Sequence, residues 1–294
     1  MAVGDIITAA RFNLLQGRIA NILGIGSGDS GYGQSLASSA VNVGDTITAE
    51  ILNNIFQDML NARVHQTGAI PTTLKRVNVG DIIAENTSTN PDGNLKGLSD
   101  YEDLIALIEA DKFLLDSGQA TEEAAVSDTR TLEWNGIITH EVKASWFLGE
   151  ARHFFNSGGE IRFSANLSGG SGAKTTDWTQ MLSTMGTIKF NYTQTTADSG
   201  SGSNIGFYDL TDSYQTIFIK TGSGIYSNNQ YSIEAKLHDL DANSIWFRIR
   251  FNDPAYPSID ENINGQLTSS IRTLRASGVY VSVFGPIITN ETTL

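Results

Sequence analysis

The chain has no cysteine, so a disulfide framework, a thiolate metal site and a cysteine nucleophile are all excluded. It has only 4 histidines, and His65, His140, His153 and His238 fall at no paired spacing. Neither His-x-x-x-His nor His-Glu-x-x-His occurs, which leaves zinc without a ligand pattern. No stretch approaches the roughly 18 consecutive apolar residues of a membrane span, and the first residues lack the basic region and apolar core of an export signal. Positive charge is scarce: 19 Lys and Arg against 32 Asp and Glu give a net charge of -13. Such a field repels nucleic acid and anionic membrane surfaces, so neither is expected as a partner. Charged residues reach only 17% of the chain, under the roughly 25% of ordinary domains. With 29 glycines and abundant Thr, Ser and Asn, that balance favours strands, turns and hydroxyl-rich surfaces. The 294 residues are enough for two or three cores.

What is present first is a repeat. Val41-Asn-Val-Gly-Asp-Thr-Ile-Thr-Ala49 has an edited copy in Val3-Gly-Asp-Ile-Ile-Thr-Ala-Ala10 and another in Val77-Asn-Val-Gly-Asp-Ile-Ile-Ala84. After the first copy, Phe12, Leu15, Ile19, Ile22 and Leu23 recur at the spacing of one helical face, with Thr8 placed to cap the helix. After the second, Thr48 precedes Ile51, Leu52, Ile55, Phe56, Met59 and Leu60 on one face, and the run stops near His65-Gln-Thr-Gly68. Short amphipathic helices need tertiary packing. These two must therefore pack on each other, on later segments or on other chains. The third copy launches no helix, because Asn86-Thr-Ser-Thr-Asn-Pro-Asp-Gly93 is turn chemistry. A helix is predicted later, where Ser99 and Glu102 form a capping box ahead of Tyr101, Leu104, Ile105 and Ile108.

Residues 116–129 are polar and acidic and read as a connector. Beyond them the period changes to alternation, with strands predicted over 132–138, 140–147, 160–167, 186–193, 216–220, 231–237, 244–251 and 278–284. In 160–167, Ile161, Phe163 and Ala165 oppose Arg162, Ser164 and Asn166. The stretches 151–155 and 179–185 lack alternation, so one helix is expected to interrupt the strands, and Trp178, Met181, Leu182 and Met185 sit at helical spacing. The expected fold is α+β and mainly β: a repeat-built helical adaptor over 1–85 (repeats near 3–34, 41–68 and 77–84), a helix and connector over 86–129, and an antiparallel β-sandwich or jelly-roll-like domain over 130–294.

Candidate chemistry is thin. The glycines of Gly26-Ser-Gly28-Asp-Ser-Gly31 match a dinucleotide pattern but follow a helix instead of a strand, so they read as a flexible loop. Asp239-Leu-Asp241-Ala-Asn243 begins like a calcium loop, yet Ser244 stands where glycine is needed and Arg250 where the bidentate glutamate belongs, so a polar hairpin turn is expected, with a weak surface calcium site as the minor alternative. There is no Gly-x-Ser-x-Gly elbow and no phosphate-binding Gly-Lys-Ser/Thr. Asp209, Asp212, Asp253, Asp260 and Glu261 lie near turns, where solubility and turn formation explain them; a carboxylate pair for glycoside hydrolysis is the competing use. Trp134, Trp146, Trp178 and Trp246 would make a sugar-stacking platform if exposed, and core if not.

Several stretches carry a resemblance. The Val-Gly-Asp-x-Ile-Thr-Ala corner, followed by Asn13-Leu14 or Leu52-Asn53 in the helix and then by Gly31-Tyr-Gly-Gln34 or His65-Gln-Thr-Gly68, resembles N-terminal segments of structural virion proteins of tailed bacteriophages, marine and cyanobacterial ones above all. Ala151-Arg-His-Phe-Phe-Asn-Ser-Gly-Gly-Glu-Ile-Arg-Phe163 and Ser270-Ile-Arg-Thr-Leu-Arg-Ala-Ser-Gly278 are similar to other stretches of those proteins. The resemblance implies a non-enzymatic, cofactor-free part of a tail, neck or fibre, present in the virion as a homo-oligomer with other virion proteins and assembled in the host cytoplasm. On that reading Phe12, Leu15, Ile19, Tyr32 and Gln34 of the first unit, and Ile51, Ile55, Phe56 and Met59 of the second, are the expected assembly contacts. A fibre module binding a host-surface glycan is the alternative.

Overall fold

The computed structural model describes residues 7–71, 75–81, 83, 85, 97–238, 241–254 and 261–294, without the side chains of 241 and 242. Among these residues the chain is α+β, with five α-helices and two antiparallel sheets of six strands each. It divides into a helical unit (1–121, 156–158 and 276–283) and a β unit (122–155, 159–275 and 284–294).

The helical unit is built on α1 (Ala9–Leu23), α2 (Ala49–Thr67) and α3 (Leu98–Ala110). Thr8 and Thr48 cap α1 and α2 as their positions predict, each hydroxyl accepting the N–H three residues on at 3.2 Å. Gly68 ends α2 in the left-handed conformation, with φ of 68°. α3 starts differently from expectation. Gly97 is its N-cap, and Ser99 lies inside the first turn, where its hydroxyl donates to the Glu85 carbonyl instead of closing a capping box. The apolar face of α3 is as predicted: Tyr101, Leu104, Ile105 and Ile108 are buried. Arg11 bridges Glu85 and Glu102, Arg18 pairs with Glu109, and Arg63 with Asp111, tying α1 and α2 to α3 and its flanks.

Two six-stranded layers make the β unit. One runs β1 (Ala120–Glu122), β11 (Gln266–Ala276), β4 (Glu160–Ser168), β5 (Ile188–Phe190), β6 (Thr195–Thr196), with β2 (Val126–Arg130) also on β11. The other runs β12 (Ile287–Asn290), β3 (Gly136–Ser145), β10 (Asp241–Asp253), β9 (Gln230–His238), β8 (Gln215–Thr221), β7 (Ser201–Gly202). Alternation sets their inner faces, as in β4, where Ile161, Phe163 and Leu167 are buried. Registers align the apolar rows: Phe247 of β10 opposes Val142 of β3 and Ala235 of β9. Rings then interlock between layers, Phe247 meeting Phe163 at 5.0 Å and Phe190 at 5.5 Å. Two helices accompany the sheets, α4 (Glu150–Asn156) and α5 (Ala173–Met185), and α5 buries Trp178, Met181, Leu182 and Met185.

Some strands differ from their sequence signal. The first begins only at Gly136, and Trp134 makes an isolated bridge to Ile263. The 186–193 run shrinks to Ile188–Phe190, because the Asn191 side chain accepts from Thr193 and Gln194 N–H and turns the chain. Residues 278–284 form no strand: Val281 and Val283 are buried, but the only pairing there is the Ser277–Ser282 bridge. Central strand β11 escapes the alternation rule, since its buried row of Leu267, Ser269, Ile271 and Thr273 alternates apolar with hydroxyl residues.

Candidate functional site

The repeated corner is a side-chain-held turn. In the second copy Asp45 N–H donates to the Asn42 carbonyl at 3.1 Å, and Asn42 N–H donates to the Asp45 carboxylate at 2.7 Å. Gly44 sits at φ 99°, a conformation that disfavours any side chain. The third copy repeats each contact: Asp81 N–H to the Asn78 carbonyl at 3.1 Å, Asn78 N–H to Asp81 at 2.6 Å, and Gly80 at φ 93°. Glycine and aspartate therefore recur for a turn, not for chemistry. The Val3-Gly4-Asp5 corner of the first copy lies outside the described residues.

Each turn is clamped to a helix by an asparagine. Asn13 of α1 donates to the Val41 carbonyl and accepts from Val41 N–H, both at 2.8 Å; Asn53 of α2 does the same with Val77, also at 2.8 Å. The carboxamide imitates the two-bond exchange of an antiparallel strand pair. Asn13 and Asn53 each stand five residues after their capping threonine, Thr8 and Thr48, so they occupy the same place in the repeat. Held this way, the turn tips project: Val43 is 95% and Val79 97% exposed.

The residues expected as assembly contacts face inward. Phe12, Leu15, Ile19, Tyr32, Ile55, Phe56 and Met59 are buried inside the helical unit, and Ile51 and Gln34 are half-buried. The helical stripes satisfy one another within the chain instead of waiting for a second one, because α3 supplies the third face of their core. Tyr32 donates to the Lys112 carbonyl at 2.6 Å and accepts from Gln66, which also donates to the Ile108 carbonyl. Gln34 donates to the carbonyls of Tyr32 and Ser282. Behind Tyr32, His65 packs at 4.8 Å between ring centres, with Nε2 on the Ser157 carbonyl; burial pushes its pKa down to about 4.

The glycine pattern at 26–31 is also structural, and tighter than a flexible loop. After α1 the chain doubles back, with Tyr32, Gln34 and Gly33 N–H donating to the carbonyls of Ile22, Leu23 and Gly24. A Cβ on Gly26 would stand 2.4 Å from the Asn21 carbonyl oxygen, and one on Gly31 2.1 Å from that of Ile25. The calcium-like stretch lies mostly outside the described residues. Among those described, no group of three or more metal-ligating side chains converges.

In the β unit, three of the four tryptophans are core: Trp134, Trp146 and Trp178 are buried, and only Trp246 is half-exposed, its indole N–H donating to His238. The stacking platform of four rings therefore does not exist. Of the candidate carboxylates, Asp260 lies outside the described residues. Asp253 is fully buried on Lys174, while Glu261 accepts from Tyr226 and from Lys174 N–H at the head of α5. Nearby, a cleft of about 160 Å³ is lined by Asp177, Gln180, Met181, Thr184 and residues 220–223. Asp177 accepts from the N–H and hydroxyl of Ser223, which fixes the wall of that cleft.

The exposed apolar side chains form the remaining candidates. Phe147 and Leu148, 72% and 93% exposed, follow β3, and Tyr208, 70% exposed, stacks on Tyr192. No described helix is long and apolar enough to cross a membrane. No family model, no curated protein and no solved structure matches this chain.

Proposed function

We propose that the chain is a non-enzymatic structural component of a tailed-phage particle, in its tail, neck or fibre apparatus, and that it works in several copies beside other virion proteins. The observation that carries this reading is the pair of clamped turns. One chain offers the same apolar tip twice, on Val43 and Val79, each fixed by an asparagine clamp and an aspartate-closed turn. A side chain kept almost wholly in water gains nothing for its own fold, whereas a rigid apolar tip loses little entropy on docking. The repeat-built helical region would thus dock through its turns, with the stripes of α1 and α2 as the internal frame. The β unit, taken as a jelly-roll-like sandwich, would pack on symmetry mates or project outward.

The test is incorporation into assembled particles of Val43→Asp, Val79→Asp and the double variant, alongside their melting curves. Folded variants that fail to incorporate support the reading; full incorporation of the folded double variant sinks it. A glycan-binding fibre module is the second reading, favoured by Tyr208, an exposed ring beside a turn of the β unit. A glycan array on the whole chain, compared with Tyr208→Ala, decides it: no signal on either rejects the module.

A further inference from the structure

Away from its surface, the β unit holds a buried polar cluster. Lys174, 1% exposed, places Nζ 3.0 Å from Oδ2 of Asp253, which is fully buried. With the Asn229 carboxamide oriented to satisfy both neighbours, its nitrogen donates to the other Asp253 oxygen, Oδ1, at 2.8 Å, and its oxygen accepts from the Trp178 indole at 3.1 Å. Trp134, Trp178, Phe251 and Tyr231 pack in succession, edge to face or tilted, at centroid distances from 4.9 to 6.4 Å. Among the described residues Asp253 is the one hydrogen-bond acceptor on Nζ, although an ammonium has three N–H groups to satisfy. An ion pair so buried recovers its lost hydration only with good geometry and further hydrogen bonds, and this one has few on the lysine side.

We propose that Lys174 and Asp253 condense into an intramolecular amide cross-link between α5 and the end of β10. One proton passes from the ammonium to Oδ2, freeing the Nζ lone pair to form the N–Cγ bond. The charge that develops on Oδ1 is met by the Asn229 N–H, already aimed there and held by Trp178. The Cγ–Oδ2 bond then breaks with its electron pair, Oδ2 takes a second proton from nitrogen, and one water leaves. A single N–H remains on the amide, no oxidant or reductant is needed, and both charges disappear from the core. Held contact replaces a bimolecular encounter, and a dry aromatic site opposes the return of water. The bond would close 79 residues of chain, acting on the unfolded state as a disulfide does in a protein that has no cysteine.

Intact mass of the denatured full chain tests this directly, with Asp253→Ala as the reference. The native chain is expected to be lighter than its sequence by one water, and its tryptic digest to yield one branched peptide joining the segments of Lys174 and Asp253, uncleaved after Lys174. A full sequence mass overturns the proposal. So does a deficit of one ammonia, which would join Lys174 to Asn229, or a water deficit mapped to any other residues. Because the native chain alone gives the reading, a reference variant that fails to fold leaves the test intact.

Discussion

The helical unit and the β unit use their inward polar side chains with different emphasis. In the helical unit several bond to backbone: the half-buried Asn13 to Val41 and Asn53 to Val77, and the buried Asp58 to Ala37 and Ser38 N–H at 2.8 and 2.9 Å and Gln66 to Ile108. In the β unit the largest groups bond to one another: Lys174 to Asp253, Asn229 to Asp253 and Trp178, and His140 to Ser269 and Asn290. The cause is the supply of unpaired backbone. A sheet satisfies its own N–H and C=O groups along the ladder, whereas the described parts of the connections between α1, α2 and α3 leave groups such as those of Val41 and Val77 to be met by side chains. Polar residues therefore steer the chain path in one unit and build closed internal clusters in the other.

The largest expected effect breaks a closed cluster. Lys174→Met should cost about 3–5 kcal/mol, because it strands a buried carboxylate. Its readout is specific, since all four tryptophans lie in the β unit, so fluorescence melts follow that unit alone. A loss under about 1 kcal/mol would mean that Asp253 is satisfied without the lysine.

Next comes acid, acting on the helical unit. His65 is held neutral by burial, against the opposing pull of the Ser157 carbonyl and of Asp116, and its pKa falls to about 4. Folded below its unfolded value of about 6.5, the ring binds fewer protons in the native state than in the unfolded one. Its contribution is complete above about pH 6.5 and is lost as pH falls toward 4, on the order of 3 kcal/mol over that window. Helical circular dichroism melts of the chain and of His65→Gln would measure it: the native melt should drop with acid more steeply than the variant's. Parallel curves would reject the assignment.

How much of this was legible differs between the units for the same reason. The caps Thr8 and Thr48, the stripes they introduce, and strands such as 160–167 and 244–251 follow from periodicity, which records only which side chains are apolar. Periodicity does not say which partner covers a stripe. Phe12 and Ile55 looked free for another chain until α3 closed the core. Nor does it register a strand whose inward row includes Ser269 and Thr273, because those hydroxyls are paid by a distant partner such as His140. The clamps were visible only as asparagines recurring at one place in a repeat, and Lys174, Asn229 and Asp253 are too far apart in sequence to form a pattern.

The clamps give the third and more symmetrical effect. Asn13→Ala and Asn53→Ala each remove two bonds to otherwise unpaired backbone, and about 1–3 kcal/mol is expected for each. The two costs should agree within about 0.5 kcal/mol, since the geometry is the same and the two clamps share no hydrogen-bond partner, and the double variant should be additive to a similar margin. Unequal costs would show that one copy of the corner supports the core and the other does not.

The smallest effect separates stability from use. Val43→Ser and Val79→Ser change side chains that touch almost nothing of their own fold, so melts should move by no more than about 0.5 kcal/mol. In the helical unit, then, the residues that fix the turn and the residues at its tip answer to different measurements: the asparagines to unfolding, the valines to association. A valine variant that lowers stability as much as an asparagine variant would place the tip among the fold's own contacts, and the contrast between frame and docking point would fall with it.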